Sequence, residues 1–361
     1  MRSLCFAFNH LQYSDGIARS AIGIANYLVS HCDVQVTLKP IYRFEKQTIE
    51  IIDERINVKP VFGFFFHGMS KLVNKLPHTF LHKLIFGDNK FDIEIGFQHG
   101  TSTIAVTSSN KEDKAMHYVW MHGYDVGLTM LPYLRKADKV VCVSQFNSSR
   151  LLNESKGEIK AEFAYNLIDE KKISEDGQQS INLIREKDPV FVTVGRHSEE
   201  KGYKRLIRCL SKLKNQGYCF KLWLIGDGPD HQALIDETRR LDMEDCVLFI
   251  GAQSNPHKYT SKADVFICSS YSEGYSTACT EAIILGIPVL STNVSGAEEI
   301  INLAESGMIV GNTDLDLENG IKYVLDNPEL VQEWKEKLKK TKSAFSMDRR
   351  AEKLLHILNL D

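Results

Sequence analysis

Short apolar runs alternate with longer segments of helical spacing along the whole chain. Leu4 to Phe8 is the first such run. Asp15-Gly16 breaks it, and Ile17 to Val29 follows with apolar residues three and four apart, which predicts a helix. Val34 to Leu38, Phe91 to Phe97, Ala115 to Trp120 and Val140 to Ser144 predict further strands. The second half repeats the scheme, with strands at Val190 to Gly195, Phe220 to Gly226, Val247 to Gly251, Val265 to Cys268 and Pro288 to Ser291. Tyr203 to Asn215 and His231 to Arg240 are helical between them. Alternation of this length predicts parallel sheets covered on both faces. The expected class is therefore α/β, with two doubly wound, Rossmann-like domains facing each other across a cleft. Their bounds are 1–168 and 189–345, joined by a polar linker at 169–188, and a helical segment at 346–361 closes the chain. Ligands in such sheets collect at the carboxyl ends of the strands.

Composition narrows the class. A chain of 361 residues suits two domains, and its 43% hydrophobic and 25% charged content is that of a globular protein. A formal net charge of −3 offers no field to recruit nucleic acid. The eight cysteines are scattered, with no Cys-x-x-Cys pair, and several lie in apolar runs such as Val140-Val-Cys-Val143. Buried reduced thiols in a cytoplasmic protein are expected. The first residues turn polar too soon for a signal peptide, and no stretch approaches the roughly 20 apolar residues of a membrane span.

One segment stands apart. Between Arg55 and Gly87 no acidic residue occurs, and Lys59, Lys71, Lys75 and Lys83 interleave with Phe62, Phe64, Phe65, Phe66, Phe80 and Phe86. The pattern over 62–86 fits an amphipathic helix lying on a membrane surface, and equally a core-packing helix with a basic outer face.

Candidate chemistry concentrates in the second half. Glu273-Gly-Tyr-Ser-Thr-Ala-Cys-Thr-Glu281 places two carboxylates eight residues apart around a small polar loop that runs into a helix. Ser276 or Thr277 can cap that helix, Gly286 fits its end and Pro288 stops it. Free amides at the helix start bind phosphate, whereas a carboxylate beside them suits hydroxyl groups. The combination reads as a site for something both sugar-like and phosphorylated. Gly195-Arg196, with Lys201 five residues on, follows an earlier strand; Gly195 permits the turn, and the two cations suit phosphate oxygens. Gly226-Asp-Gly228-Pro resembles a dinucleotide fingerprint, but His231 stands where the third glycine belongs, so a structural turn is expected. No Asp-x-Asp lies between strands, nor does a His/Asp/Glu cluster occur at ligand spacing along the sequence, so no metal or other cofactor is expected.

Gly195-Arg-x4-Lys-Gly202, Gly226-Asp-Gly-Pro and Glu273-Gly-Tyr-Ser with Glu281 together resemble the C-terminal half of the family 4 glycosyltransferases, retaining enzymes of the GT-B fold. The resemblance extends to Ser14-Asp-Gly-Ile-Ala-Arg-Ser20, which is similar to the family's Gly-Gly-x-Glu-Arg loop, with Asp15 and Ala18 in place of the first Gly and the Glu. Phe91 to Phe97, Val119-Trp-Met-His122, Val140 to Ser144 and Tyr165-Asn166-Leu-Ile-Asp169 match further landmarks.

The resemblance implies roles. Arg196 and Lys201 would hold the diphosphate of a nucleotide sugar. Glu281 would bind the ribose, and Glu273 the hydroxyls of the donor sugar. Amides of Gly274, Tyr275, Ser276 and Thr277 would contact sugar or phosphate, and Gly16 would approach from the other domain. His122 would stand by the donor sugar. The base would rest near Gly251 to Ser254, Gln253 included. His99 either lines the acceptor side or is a satisfied core or surface residue. Asn166 would tie the interdomain crossover, and the C-terminal helix would pack back on the N-terminal domain.

The implied function is a metal-independent, retaining transfer from a UDP-sugar. The acceptor would be a saccharide or glycolipid, at the cytoplasmic face of a membrane where surface polysaccharide is made. A sugar-nucleotide epimerase or hydrolase of the same fold, a nicotinamide enzyme and a non-catalytic sugar-binding protein are the rivals. Turnover without acceptor marks the first, an intact fingerprint the second, and loss of Arg196, Lys201 or Glu281 the third.

Overall fold

The computed structural model describes residues 1–12, 15–87, 91–109, 113–124, 129–183 and 187–361; Ser14 of the N-terminal loop motif lies outside these. The chain forms two compact units, Met1–Ile168 with Arg350–Asp361, and Asp169–Arg349.

Strands β1 (Arg2–Leu11), β2 (Val34–Phe44), β3 (Asn57–Val58), β4 (Ile93–Gly96), β5 (Met116–Met121), β6 (Lys139–Cys142) and β7 (Ala161–Phe163) build the first sheet, in the order β3-β2-β1-β4-β5-β6-β7. The second sheet uses β8 (Val190–Val194), β9 (Lys221–Ile225), β10 (Val247–Gly251), β11 (Val265–Cys268), β12 (Val289–Thr292) and β13 (Met308–Val310), in the order β10-β9-β8-β11-β12-β13. Every strand pairing is parallel. All residues of β4, β11 and β12 are buried; β11 and β12 accordingly read as unbroken apolar or small-residue runs, while β4 carries the buried Glu94.

The helices Tyr203–Asn215 and His231–Arg240 have the bounds their spacing predicts. The C-terminal helix Met347–Leu358 is held to the N-terminal unit by Tyr118 and Lys139, which donate to the Ile357 carbonyl, and by Arg350, whose Nη1 donates to the Asn166 carbonyl at 2.9 Å. Asn166 also accepts the Ser20 hydroxyl at 2.7 Å.

Three expectations change. The polar stretch 169–188 is not all linker. Asp169 accepts the Lys172 amide and caps a helix, Glu170–Gln178, whose buried face is only Ile173 and Gly177, too narrow to register as amphipathic. The basic, aromatic segment is not one helix: Met69–Val73 and His78–Phe86 are separate and short. Leu81, Ile85 and Phe86 enter the core, while Phe64, Phe66, Leu72 and Phe80 are more than half exposed. Lys39, buried at 8% exposure, closes the second of these helices by donating to the Ile85 and Phe86 carbonyls, where a cation complements the helix dipole. Six cysteines are buried and unpaired as expected, but Cys32 is half-buried and Cys219 exposed.

Candidate functional site

In the second sheet β8 neighbours β9 on one side and β11 on the other. The chain reverses its order of winding between β8 and β11, and doubly wound sheets take ligands at that reversal. The residues that follow these two strands are Gly195 to Lys201 and Ser269 to Thr277. Sequence-predicted residues that lie far apart in the chain therefore come together because of strand order.

Lys201 ends a short 3-10 turn, Glu199–Lys201, and its Nζ donates to Glu273 Oε1 at 2.7 Å. Ser270 Oγ donates to the same oxygen at 2.6 Å. Burial works against the Lys201 charge, but the Glu273 carboxylate outweighs it and holds the ammonium above its ordinary pKa. Arg196 is exposed, and its guanidinium makes no hydrogen bond or ion pair among the described residues. Ser276 caps the helix Thr277–Ile284, accepting the Cys279 amide at 3.3 Å. The amides of Thr277 and Ala278 in its first turn have no partner within the helix. A free cation, an ion pair and a helix N-terminus thus follow the same two strands. This set can take a polyanion and hydroxyl groups together.

Tyr275 is 6% exposed, and its ring abuts Gly296, so its side chain packs into the protein. Gly274 is fixed by Ser295, whose hydroxyl donates to the Gly274 carbonyl. Glu281, one turn along the helix, lies 3.4 Å from His257 Nε2, and His257 Nδ1 lies 3.6 Å from Asp176.

Gly226-Asp-Gly228 is the structural turn expected. Gly226 has φ +139°, and a Cβ there would lie 1.9 Å from the Gly195 carbonyl oxygen, so a glycine lets the two loops touch. Asp227 and His197 exchange backbone contacts: the His197 amide donates to the Asp227 carbonyl. Gly251 ends the edge strand β10, two strands from β8, and Gln253 lies two residues beyond it. Gly251 accepts the Gly226 amide, and the Gln253 amide group folds back onto the Ile250 carbonyl.

Two residues escaped the sequence. Arg205, 2% exposed, donates to the Ser269 and Ser270 carbonyls and to Asn312, and lies 3.8 Å from the Tyr271 ring centre. It fixes the turn that leads to Glu273. His197 is fully buried, 2.8 Å from His231 Nδ1; burial, then the neighbouring His231, lower its pKa to about 4, so it is neutral. Only their positions in the fold could reveal them, since neither residue type is unusual beside a charged loop or on an amphipathic helix.

Gly16, His99 and His122 belong to the N-terminal unit. There the reversal falls between β1 and β4. Gly16 begins the helix Gly16–His31, but Asp15 occupies that helix start: its carboxylate accepts the Ile17 amide at 3.1 Å and the Gln98 side-chain amide at 3.2 Å. Burial raises the Asp15 pKa. A phosphate at this terminus would meet the chain's own acid. His99 and His122 follow the adjacent strands β4 and β5. Burial lowers the pKa of both, and in His122 burial, aided by His99, takes it to about 3. Both rings are neutral polar groups. His99 has no hydrogen-bond partner on either ring nitrogen.

Folding also gathers groups the sequence keeps apart: His82, Glu94, Asp113 and His117 in the first unit, and His197, Asp227 and His231 in the second.

The family described as "Glycosyl transferases group 1" matches residues 174–341. The N-acetylgalactosamine-N,N'-diacetylbacillosaminyl-diphospho-undecaprenol 4-alpha-N-acetylgalactosaminyltransferase of Campylobacter jejuni is 33% identical over 216 residues, covering 58% of this chain and 57% of that protein. The chain spans about half the length of the curated relatives it matches first. Among solved structures, Anabaena HepE in complex with UDP superposes with TM-score 0.74 and 18% identity, covering 99% of this chain and 100% of that one. Sucrose-phosphate synthase from Thermosynechococcus elongatus reaches TM-score 0.81 at 14% identity, covering 99% and 98%. The fold is that of the GT-B glycosyltransferases.

Proposed function

We propose that the chain is a group 1 glycosyl transferase, the family whose model matches residues 174–341, and that it moves a hexose or N-acetylhexosamine from a UDP-sugar to a hydroxyl of a saccharide acceptor in cell-surface polysaccharide synthesis. One observation carries this reading: Arg196, the Lys201–Glu273 pair and the start of the helix Thr277–Ile284 all follow the strands at the β8–β11 reversal. Breaking the bond between sugar C1 and phosphate oxygen builds positive charge on the ring and negative charge on the departing diphosphate. Arg196, Lys201 and the helix amides stabilise the latter as it grows, so the reaction is proposed to need no metal.

The acceptor oxygen bonds to C1 on the face the diphosphate leaves, its proton passes to a phosphate oxygen, and UDP departs with the sugar's configuration retained. Glu273 holds sugar hydroxyls rather than attacking C1, because Oε1 already accepts from Lys201 and Ser270. The acceptor is assigned to the N-terminal unit, where the neutral His99 offers hydrogen bonds without charge, and the neutral His122 is assigned to the donor sugar. The Campylobacter relative is named for a diphospho-undecaprenol substrate and the Anabaena structure holds UDP, which supports the donor and a lipid-linked acceptor.

A thermal-shift panel in EDTA with UDP, GDP, ADP and NAD tests the donor. UDP at a hundredfold excess over its dissociation constant is expected to stabilise the fold by about 2.7 kcal/mol, and the other nucleotides by less. A shift with NAD alone would overturn the reading.

Contact with the cytoplasmic face of a membrane is part of the same proposal. No helix among the described residues is long and apolar enough to cross a bilayer. The more-than-half-exposed Phe64, Phe66, Leu72 and Phe80 instead lie in a stretch carrying Lys71, Lys75 and Lys83 and no acid. Basic groups near an anionic surface are worth about 1 kcal/mol each, and the aromatic rings add apolar burial. The protein is expected to co-float with phosphatidylglycerol-containing vesicles but not with phosphatidylcholine alone. Phe64→Ser with Phe66→Ser and Phe80→Ser should abolish flotation; equal flotation of wild type and variant would refute the contact.

A further inference from the structure

His82 lies on the helix His78–Phe86, Glu94 on β4, Asp113 in the stretch before β5, and His117 on β5. Glu94 and His117 are register partners on adjacent parallel strands, so their side chains leave the sheet on the same face. The helix lays His82 over that face. Glu94 is 2% exposed and both histidines 8%, while the Asp113 side chain, at 25%, is the one open to solvent.

Four donor atoms converge. His82 Nε2 lies 2.7 Å from Glu94 Oε2 and 3.6 Å from Asp113 Oδ2. His117 Nε2 lies 3.5 Å from Glu94 Oε2 and 3.6 Å from Asp113 Oδ2. All four atoms fall within 4.8 Å of one another. A tetrahedral ion with ligands at about 2.0–2.1 Å requires them roughly 3.3 Å apart. Three of these separations need to shrink by a few tenths of an ångström, and the His82–Glu94 contact, at 2.7 Å, needs to open by about 0.6 Å.

A second, independent observation points to a ligand. His117 Nε2 is buried and has no hydrogen-bond partner, although it faces two carboxylates. Burying a ring nitrogen unmatched is unfavourable, and a cation shared by all four groups removes that penalty. The opposite ring nitrogen also faces a carboxylate, at a distance too long for a hydrogen bond: His117 Nδ1 lies 3.6 Å from Asp138 Oδ2, and that oxygen accepts the His117 amide at 2.8 Å. The free Asp113 oxygen is positioned too, because its Oδ1 accepts the Ala115 amide at 3.0 Å.

We propose that His82, Glu94, Asp113 and His117 form a divalent-cation site of the zinc class. Magnesium and calcium take all-oxygen shells, whereas two imidazoles with two carboxylates suit zinc or a similar transition metal. Four protein ligands leave no open coordination position, which marks a structural ion. Its place agrees. Glu94 and His117 are near the amino ends of β4 and β5, and His122, which follows β5, is five residues from His117, roughly 16 Å along an extended chain. The ion would tie the helix His78–Phe86 to the sheet and take no part in transfer. The proposal does not depend on the donor reading.

The test uses the full chain purified without a histidine tag, stripped with EDTA and dialysed against Zn²⁺ or Co²⁺. Retention of one equivalent, a raised melting temperature and a tetrahedral Co²⁺ spectrum are expected. Asp113→Asn, at the most exposed ligand, should fold normally yet bind at least tenfold more weakly. UDP-induced stabilisation should be the same with and without EDTA. No retained metal, or retention with equal affinity in Asp113→Asn and in a His82→Gln/His117→Gln double variant, would overturn the site.

Discussion

Arg196→Ala is expected to slow sugar transfer about 10²–10³-fold, the usual loss when one fixed stabiliser of developing charge is removed. Its folding free energy should stay within about 0.5 kcal/mol of wild type, because the side chain is exposed and pairs with nothing among the described residues. Lys201→Ala should lose transfer to the same degree but also stability. It strips Glu273, whose side chain is 12% exposed, of the partner at 2.7 Å, at a cost of about 1–3 kcal/mol. Adding Glu273→Gln to Lys201→Ala should recover part of that stability and none of the transfer. The assay runs in EDTA with the product's anomeric configuration read by NMR and stability by urea melts. Undiminished transfer by Arg196→Ala would remove the site assignment, and an inverted product would remove the same-face mechanism. The proposed metal-independent reaction predicts that EDTA leaves the turnover of the wild type unchanged, even where a structural ion elsewhere is lost.

The sequence carried most of the fold because parallel strands buried on both faces leave unmistakable apolar runs. Each of the ten predicted strands exists. β3, β7 and β13 were illegible for the converse reason: at two or three residues on or near sheet edges they show neither alternation nor a sustained apolar run. The helix Glu170–Gln178 was hidden by its polarity, since two buried positions suffice to seat it.

For the site, motif spacing located Arg196, Lys201, Glu273 and Glu281. It could not say that Lys201 and Glu273 would be joined to each other, which follows from β8 and β11 being neighbours in space though separated by two strands in sequence. The same limit hid the four-group cluster of the N-terminal unit. Its members are 12, 19 and 4 positions apart, spacings that mean nothing until β4 and β5 pair and a helix crosses them.

Arg205 is the second position where a large effect is expected, and it acts through another residue. The residue before its helix, Gly202, has φ +64°, and a Cβ there would lie 2.1 Å from the Ser269 carbonyl oxygen, so the helix start is pressed against the end of β11. Into that contact Arg205 sends Nε to the Ser269 carbonyl at 2.8 Å and Nη2 to the Ser270 carbonyl at 2.6 Å and to Asn312 Oδ1 at 2.8 Å. Ser270 in turn donates to Glu273. Arg205→Ala leaves the Ser269 carbonyl unmatched, while the Ser270 carbonyl keeps the Thr292 hydroxyl at 2.7 Å, so the fold should lose about 1–3 kcal/mol. In the molecules that remain folded the turn before Glu273 loosens, so KM for the donor should rise more than kcat falls. Arg205→Lys should rescue little, because an ammonium cannot reproduce the planar fork that reaches three acceptors from one side chain. Urea melts joined to donor-dependence curves separate the two contributions. A merely structural role would lower stability and leave KM per folded molecule unchanged, whereas a positioning role moves KM even when the melts are corrected for unfolded protein.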